Sequence, residues 1–283
     1  MGRVYLPATL EAVFEILSRE PSARLFAGGT DLLVRSSAVR SDEGPLVCLE
    51  RVEGLSGVSE SDGAVRIGAS TTHGALMASG FIKERFPLLR EAVRHIGAPA
   101  VRNMGTIGGN ICTASPAGDS LPPLYILDAE VELRSAKEER RMPLSGFISG
   151  PGVTALEPGE VLTAVWIDKD HGFNFHHFEK VGQRKAMAIS VASMAFAARL
   201  DGDGVVIKAR SALGSVAPTV FTSQALDAFF AGKPLNEETL GKAAALVREG
   251  VSPISDVRAS QEYRRTVAGN LLMRLEGARS VGR

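Results

Sequence analysis

The sequence predicts an α+β protein of two domains, the first over residues 1–170 and the second over 171–283. Three observations carry this prediction. Up to residue 170 short strand-like runs alternate with short amphipathic ones, as small strands and helices interleave. Past Asp168-Lys169-Asp170-His171-Gly172 the strand-like runs lengthen. Beyond those, helical periodicity holds almost to the end of the chain.

In the first domain, Leu10, Val13, Phe14 and Leu17 recur at helical spacing, and Thr9 offers a hydroxyl to cap the first turn. Ala23–Ala27 reads as a strand entering a Gly-Gly turn, and Leu46–Leu49 as a second after Gly44-Pro45. Ala64–Ala69 is a third strand, after which Thr71-Thr72-His73 opens a short helix. Pro87–His95 is a helix whose Leu88, Leu89, Ala92 and Val93 form a core stripe. Glu130–Arg134 alternates as a half-buried strand does, and Glu160–Ile167 is the last strand of the domain.

The second domain begins with three strands, Phe173–Glu179, Ser190–Leu200 and Val205–Leu213. Asp201-Gly202-Asp203-Gly204 supplies a hairpin turn between the last two. Ser223–Ala231, Glu237–Arg248 and Ser260–Leu275 are helical.

Composition narrows the function. There are 32 basic and 32 acidic residues, so the basic surplus expected of a nucleic-acid binder is missing. No apolar run approaches a membrane span. Glu11, Glu15 and Arg19 interrupt any signal-peptide core. The two cysteines, Cys48 and Cys112, suit a reduced cytoplasmic protein, and they are too few to hold an iron–sulfur cluster alone.

The most informative stretch is Gly105-Thr106-Ile107-Gly108-Gly109-Asn110-Ile111-Cys112-Thr113, continuing to Ala114-Ser115-Pro116-Ala117-Gly118-Asp119. Glycines permit φ > 0 and close approach to the main chain. Successive amides in such turns form nests for phosphate oxygens. Ala27-Gly28-Gly29-Thr30-Asp31 repeats the idea, and two such turns suit a ligand with two linked phosphates.

Other motifs carry less. Gly150-Pro151-Gly152-Val153-Thr154-Ala155 matches the letters of a dinucleotide fingerprint, but Glu157-Pro158-Gly159 leaves no room for the helix that must follow. His171, His176 and His177 lack further ligands at zinc spacing. His73 could in principle attach a flavin, yet nothing local favours this over a helix-start residue. Lys180 and Arg184 flank Gly182 and could face a phosphate or a flavin ring, but on their own they read better as a solvated basic turn. Tyr263-Arg264-Arg265 reads as a packing feature.

These motifs, in this order and spacing, resemble the FAD-binding subunit of the molybdenum hydroxylases, the xanthine dehydrogenase and carbon monoxide dehydrogenase medium-subunit family. Phe178-Glu179-Lys180-Val181-Gly182-Gln183-Arg184 and the Tyr263-Arg264-Arg265 helix resemble its C-terminal domain. The resemblance implies a vanillyl-alcohol-oxidase (PCMH-type) FAD-binding domain of two α+β subdomains. It also implies a C-terminal domain with a three-stranded antiparallel sheet and a helical bundle. It assigns non-covalent FAD, with the pyrophosphate held by Ala27, Gly28, Gly29, Thr30 and Asp31 and by Thr106, Gly108, Gly109 and Asn110. Thr113 and Asp119 match positions on the ribityl–ribose side. Ile167 and Lys180 match positions near the flavin ring.

The resemblance further implies two partners, a molybdenum–pterin large subunit and a small subunit with [2Fe–2S] clusters. Electrons from those clusters would reach FAD and pass to NAD or another acceptor, and no residue here need be an acid, base or nucleophile. Ala186-Met187-Ala188-Ile189 departs from relatives that carry an acidic or tyrosine residue there, which leaves the acceptor open. The alternatives are a stand-alone NAD(P)H-dependent flavin reductase of the same fold and a flavin-free scaffold.

Overall fold

The computed structural model describes residues 3–34, 44–61 and 63–281, with side chains to residue 276. In chain order the strands and helices begin β1 (Val4–Tyr5), α1 (Leu10–Arg19), β2 (Arg24–Phe26), β3 (Leu46–Cys48), β4 (Val58–Ser61) and β5 (Ala64–Gly68). A run of short helices follows: α2 (His73–Ala78), α3 (Gly80–Arg85), α4 (Pro87–Arg94), α5 (Pro99–Met104), α6 (Ile107–Thr113) and α7 (Leu121–Ile126). Then come β6 (Glu130–Arg134), β7 (Glu139–Pro143), α8 (Leu144–Phe147), β8 (Ile148–Gly150), β9 (Val153–Thr154) and β10 (Val161–Asp168). The remainder is β11 (Phe175–Gly182), β12 (Ser190–Leu200), β13 (Val206–Gly214), β14 (Phe221–Thr222), α9 (Gln224–Phe230), α10 (Glu237–Gly250) and α11 (Gln261–Val281).

The chain forms two compact units that interleave in sequence. The first holds Met1–Ser79, Gly97–Ala114 and Asp128–Lys169; the second holds Gly80–Ile96, Ser115–Leu127 and Asp170–Arg283.

The first unit contains two sheets built on different principles. β1-β3-β2 is parallel. α1 covers it, capped by Thr9, whose Oγ1 accepts the Ala12 amide at 3.2 Å. Val13 of α1, with Val47, Leu49, Val52, Leu55 and Val161, forms this core. β4-β5-β10-β6-β7 is antiparallel throughout. Its alternation puts Val65, Ile67, Val131, Leu133, Val165 and Ile167 in the core. The other face carries charge. The Trp166 indole N–H and the Thr163 hydroxyl each donate to the Glu132 carboxylate at 2.7 Å, and the Arg141 guanidinium lies 3.6 Å above the Trp166 ring. Burial opposes ionisation of Glu132, but these donors and Arg66 outweigh it and hold its carboxyl below the usual range.

In the second unit the sheet is antiparallel, in the order β11-β12-β13-β14. The three long strands expected from the sequence are present, and the two-residue β14 adds a fourth at the edge by pairing with Ala212 and Leu213. The Asp201 carboxylate shapes the β12–β13 turn by accepting the amides of Asp203 and Val205. α9 and α11 pack on this sheet and α10 packs on both helices, with Phe196, Leu213, Phe230, Leu240 and Leu272 in the core. α4 lies against β11, and α7 against β12 and β13.

The letters Gly150-Pro151-Gly152 fall in the β8–β9 hairpin, with Gly152 at φ 71°. Among the described residues no group of three His, Cys, Asp or Glu side chains is placed to hold a metal ion. No helix is long and apolar enough to cross a membrane among the described residues.

Phe196 meets Phe230 edge to face at 5.2 Å between ring centres, and both are fully buried. Phe196→Ala is expected to destabilise the second unit by about 3–5 kcal/mol. Urea titration checks this, and a loss near zero would mean the ring is not part of a close-packed core.

Candidate functional site

The two glycine motifs, far apart in sequence, meet in the first unit. Ala27-Gly28-Gly29-Thr30-Asp31 leaves the end of β2, and the second motif runs from α5 into α6. A Cβ on Gly28 would lie 1.6 Å from the Met104 carbonyl oxygen, so the two main chains touch where no side chain fits. A Cβ on Gly105 would lie 3.1 Å from Thr30 Oγ1. The Thr113 hydroxyl, 3.4 Å from Asp31 Oδ2 and 82 residues away in sequence, closes the contact.

The first motif has the geometry of a nest. Gly29 sits at φ 69°, a conformation that favours glycine. Among the described residues the amides of Gly28, Gly29 and Thr30 meet no protein acceptor.

The second motif is built differently from the sequence expectation. Gly105, Gly108 and Gly109 all lack positive φ, and Gly108 and Gly109 are helical. The Ile107 amide donates to Thr71 O, that of Gly108 to Ala69 O and that of Gly109 to Thr106 Oγ1. The first two amides therefore hold the helix to the adjoining segment and the third takes the helix's own cap, so they do not form an open nest. A Cβ on Gly108 would sit 2.6 Å from the Ala69 Cβ, so that glycine serves packing. Gly109 is exposed, and a Cβ there would meet only Thr106 Oγ1, at 2.9 Å. Asn110 follows it, half-buried. A pyrophosphate fits this edge: one loop offers three amides without acceptors among the described residues, and the neighbouring motif leaves its outer glycine bare.

Ile167 is 1 % exposed and registered against Val65 in the middle of the sheet. Its side chain belongs to the core, so any role toward a ligand falls to its main chain.

Asp119 and Lys180 lie in the second unit, ion-paired to each other at 2.5 Å with both side chains buried. Lys180 also donates to the His95 carbonyl at 3.2 Å, and the Ser190 hydroxyl donates to Asp119 Oδ1 at 2.5 Å. Burial raises the Asp119 carboxyl above its ordinary range, against the pull of Lys180 and Ser190. This arrangement presents a fixed, desolvated dipole rather than a mobile charge.

The structure adds residues that sequence reasoning leaves out of the site. His73, weighed in the sequence as a flavin attachment point against a plain helix-start residue, is 2 % exposed and packs behind the junction of the two motifs. Its amide donates to Gly105 O at 2.9 Å, and its ring lies beside the Gly105 Cα. Its Nδ1 has no partner among the described residues. Burial, with the Arg102 charge adding to it, pushes the His73 imidazole down to about 4, so it is neutral at pH 7. Ser190, whose neighbours give no local signal, is the second hydrogen-bond partner of Asp119.

Known proteins resemble the chain along nearly its whole length. Residues 1–168 match the family described as FAD binding domain in molybdopterin dehydrogenase, and residues 177–277 match the CO dehydrogenase flavoprotein C-terminal domain. The chain is 35 % identical to the putative xanthine dehydrogenase FAD-binding subunit of Escherichia coli K12, over 91 % of this chain and 88 % of that protein. It is 33 % identical to the carbon monoxide dehydrogenase medium chain of Afipia carboxidovorans, over 93 % of this chain and 91 % of that one. A chain of quinoline 2-oxidoreductase from Pseudomonas putida 86 superimposes with a TM-score of 0.93 at 29 % identity, covering 99 % of this chain and 98 % of that one.

Two outcomes are expected. Gly109→Val should fold and lose FAD, because its side chain projects where a ligand would approach, whereas Gly28→Ala should disturb folding itself. Flavin content and thermal melting of the two variants separate the cases, and a folded Gly109→Val with full flavin would remove Gly109 from the site. The second outcome concerns pH. With a folded value of about 4 against 6.5 unfolded, neutral His73 contributes stability that is complete above pH 6.5 and is lost as pH falls toward 4. The loss is on the order of 3 kcal/mol across that window. His73→Gln should flatten this part of the stability curve, measured by urea unfolding between pH 7 and 4. An unchanged slope would show that His73 titrates normally.

Proposed function

The chain belongs to the family of FAD-binding domains of the molybdopterin dehydrogenases, and on that premise we propose that it is the electron-transfer flavin subunit of a multi-subunit molybdenum hydroxylase. The observation that carries the reading is the meeting of the two glycine motifs, which presents amides without acceptors among the described residues and a bare glycine along one edge. Ala27, Gly28, Gly29, Thr30 and Asp31, with Thr106, Gly108, Gly109 and Asn110, build the pyrophosphate site. In it Gly28 and Gly108 allow close main-chain packing, while Gly29 and Gly109 form its open surface. Thr113 and Asp119 serve the ribityl–ribose part, and the main chain of Ile167 and the Lys180 pair serve the flavin ring.

FAD held by these residues would supply the exchange between one-electron and two-electron chemistry that would link [2Fe–2S] clusters of a partner to NAD or another acceptor. The chain's own residues bind and orient the cofactor, and Lys180 places a buried positive charge held by Asp119. The clusters belong to a small partner subunit, and the molybdenum–pterin to a large one that hydroxylates the substrate. Two free cysteines, Cys48 and Cys112, support a reducing, cytoplasmic setting.

The isolated chain is expected to bind FAD in preference to FMN and to pass electrons from NADH to an artificial dye. It should hydroxylate no purine, aldehyde or N-heterocycle until a molybdenum subunit and an iron–sulfur subunit are added. Flavin release, dye-reduction assays and reconstitution with candidate partners check this. Hydroxylation by the lone, molybdenum-free chain would overturn the assignment.

A further inference from the structure

Arg264, the middle residue of the Tyr263-Arg264-Arg265 motif, is 3 % exposed at the start of α11. A guanidinium is rarely buried without a specific set of acceptors. Here Nη1 donates to two main-chain carbonyls, Val191 O at 2.7 Å and Ser215 O at 3.3 Å. Nη2 donates to Asp256 Oδ1 at 2.7 Å. Nε meets no acceptor among the described residues, so the two terminal nitrogens carry the whole set. Asp256 is itself fixed by the amides of Arg258 and Ala259 and by the Arg258 guanidinium.

The two carbonyls lie at the beginning of β12 and just past the end of β13. Each strand end holds one end of the Pro116–Asp119 segment. Ser190, next to Val191, donates to Asp119 Oδ1 at 2.5 Å. The Ser215 amide donates to Pro116 O at 2.8 Å. Ser215 does this at φ 65°, a strained backbone for serine, which neighbouring bonds must over-determine if it is to persist. One cation therefore ties together both anchors of the segment that carries Asp119, and Asp119 in turn holds Lys180.

A buried ion pair is a poor source of net stability, since apolar replacements of similar volume often do as well. Its planar fork, by contrast, fixes geometry in a way that a flexible ammonium does not. We infer that Arg264 is a positioning residue: it sets the placement of the Asp119–Lys180 pair, and through that pair the binding of FAD. The inference rests on the proposal that this pair serves the flavin.

The test is a double-mutant cycle on the full chain, combining Arg264→Met and Arg264→Lys with Asp119→Asn. FAD dissociation constants come from flavin fluorescence, and amide hydrogen exchange is followed in the FAD-free protein. With Asp119 intact, Arg264→Met should weaken FAD binding about tenfold; in the Asp119→Asn background it should do so by less than about twofold. Exchange should quicken at residues 115–119 and around Lys180 and Ser190. Equal loss of affinity in both backgrounds, or faster exchange spread evenly over the second unit, would overturn the inference. Should Arg264→Met not fold, Arg264→Lys carries the same cycle, with partial recovery expected because the charge remains. Should the unaltered chain bind no FAD, the flavin reading falls, while the exchange arm still decides whether Arg264 positions the pair.

Discussion

The contact on which the first unit depends is one between two main chains. Gly28 touches the Met104 carbonyl at a distance no Cβ tolerates. That approach fixes the spacing of the two motifs, and the surrounding bonds follow from it. Residues 69–73 and 105–108 run as an antiparallel pair, with Gly108 N–H to Ala69 O, Ile107 N–H to Thr71 O and His73 N–H to Gly105 O. Once these amides and carbonyls are consumed, His73 is enclosed and must stay neutral. A larger residue at Gly28 would push apart both motifs, not one turn.

Much of this is legible in the sequence, for physical reasons that differ by element. Thr9 announces its helix because a side-chain oxygen must satisfy a free amide, and it does so here; Ser223 and Asn236 cap theirs in the same way. The β12–β13 hairpin is visible because Asp-Gly-Asp-Gly suits few other backbones. The second glycine motif reads as an open turn and is instead a helix start. Two adjacent glycines disfavour a helix by local propensity, at about 1 kcal/mol each. Packing of Gly108 against Ala69 overrides that preference, and nothing local in the sequence reveals Ala69 as the partner. The edge strand β14 has only two residues and leaves no periodicity to read. Nor can helical spacing show that α4 and α7 pack with strands of the second unit, because a stripe of leucines states that a face is buried and not against what.

Asp119 shows how a resemblance and a structure divide the work. Sequence similarity marks Asp119 and Lys180 separately, as residues on different parts of a cofactor. The structure adds that they are partners, with Ser190 completing the set of donors to the carboxylate. The pairing constrains what either can do. A carboxylate held by an ammonium and a hydroxyl is a poor general base, and the buried lysine is not free to swing toward solvent. On the proposed flavin reading, both therefore act through position.

The two units differ in the electrostatics each can offer a ligand. In the first, attraction for phosphate comes from main-chain dipoles, which do not titrate, and the nearby histidine is kept uncharged by burial. On the proposed flavin reading, binding at that edge depends on shape. In the second, the buried Asp119–Lys180 pair depends on the geometry of its acceptors, and hence on residues further off such as Arg264. A substitution in the first unit's loops should act through steric exclusion, and one behind Asp119 through displacement of charge. On the proposed flavin reading, the former governs whether the cofactor stays bound and the latter what its ring experiences.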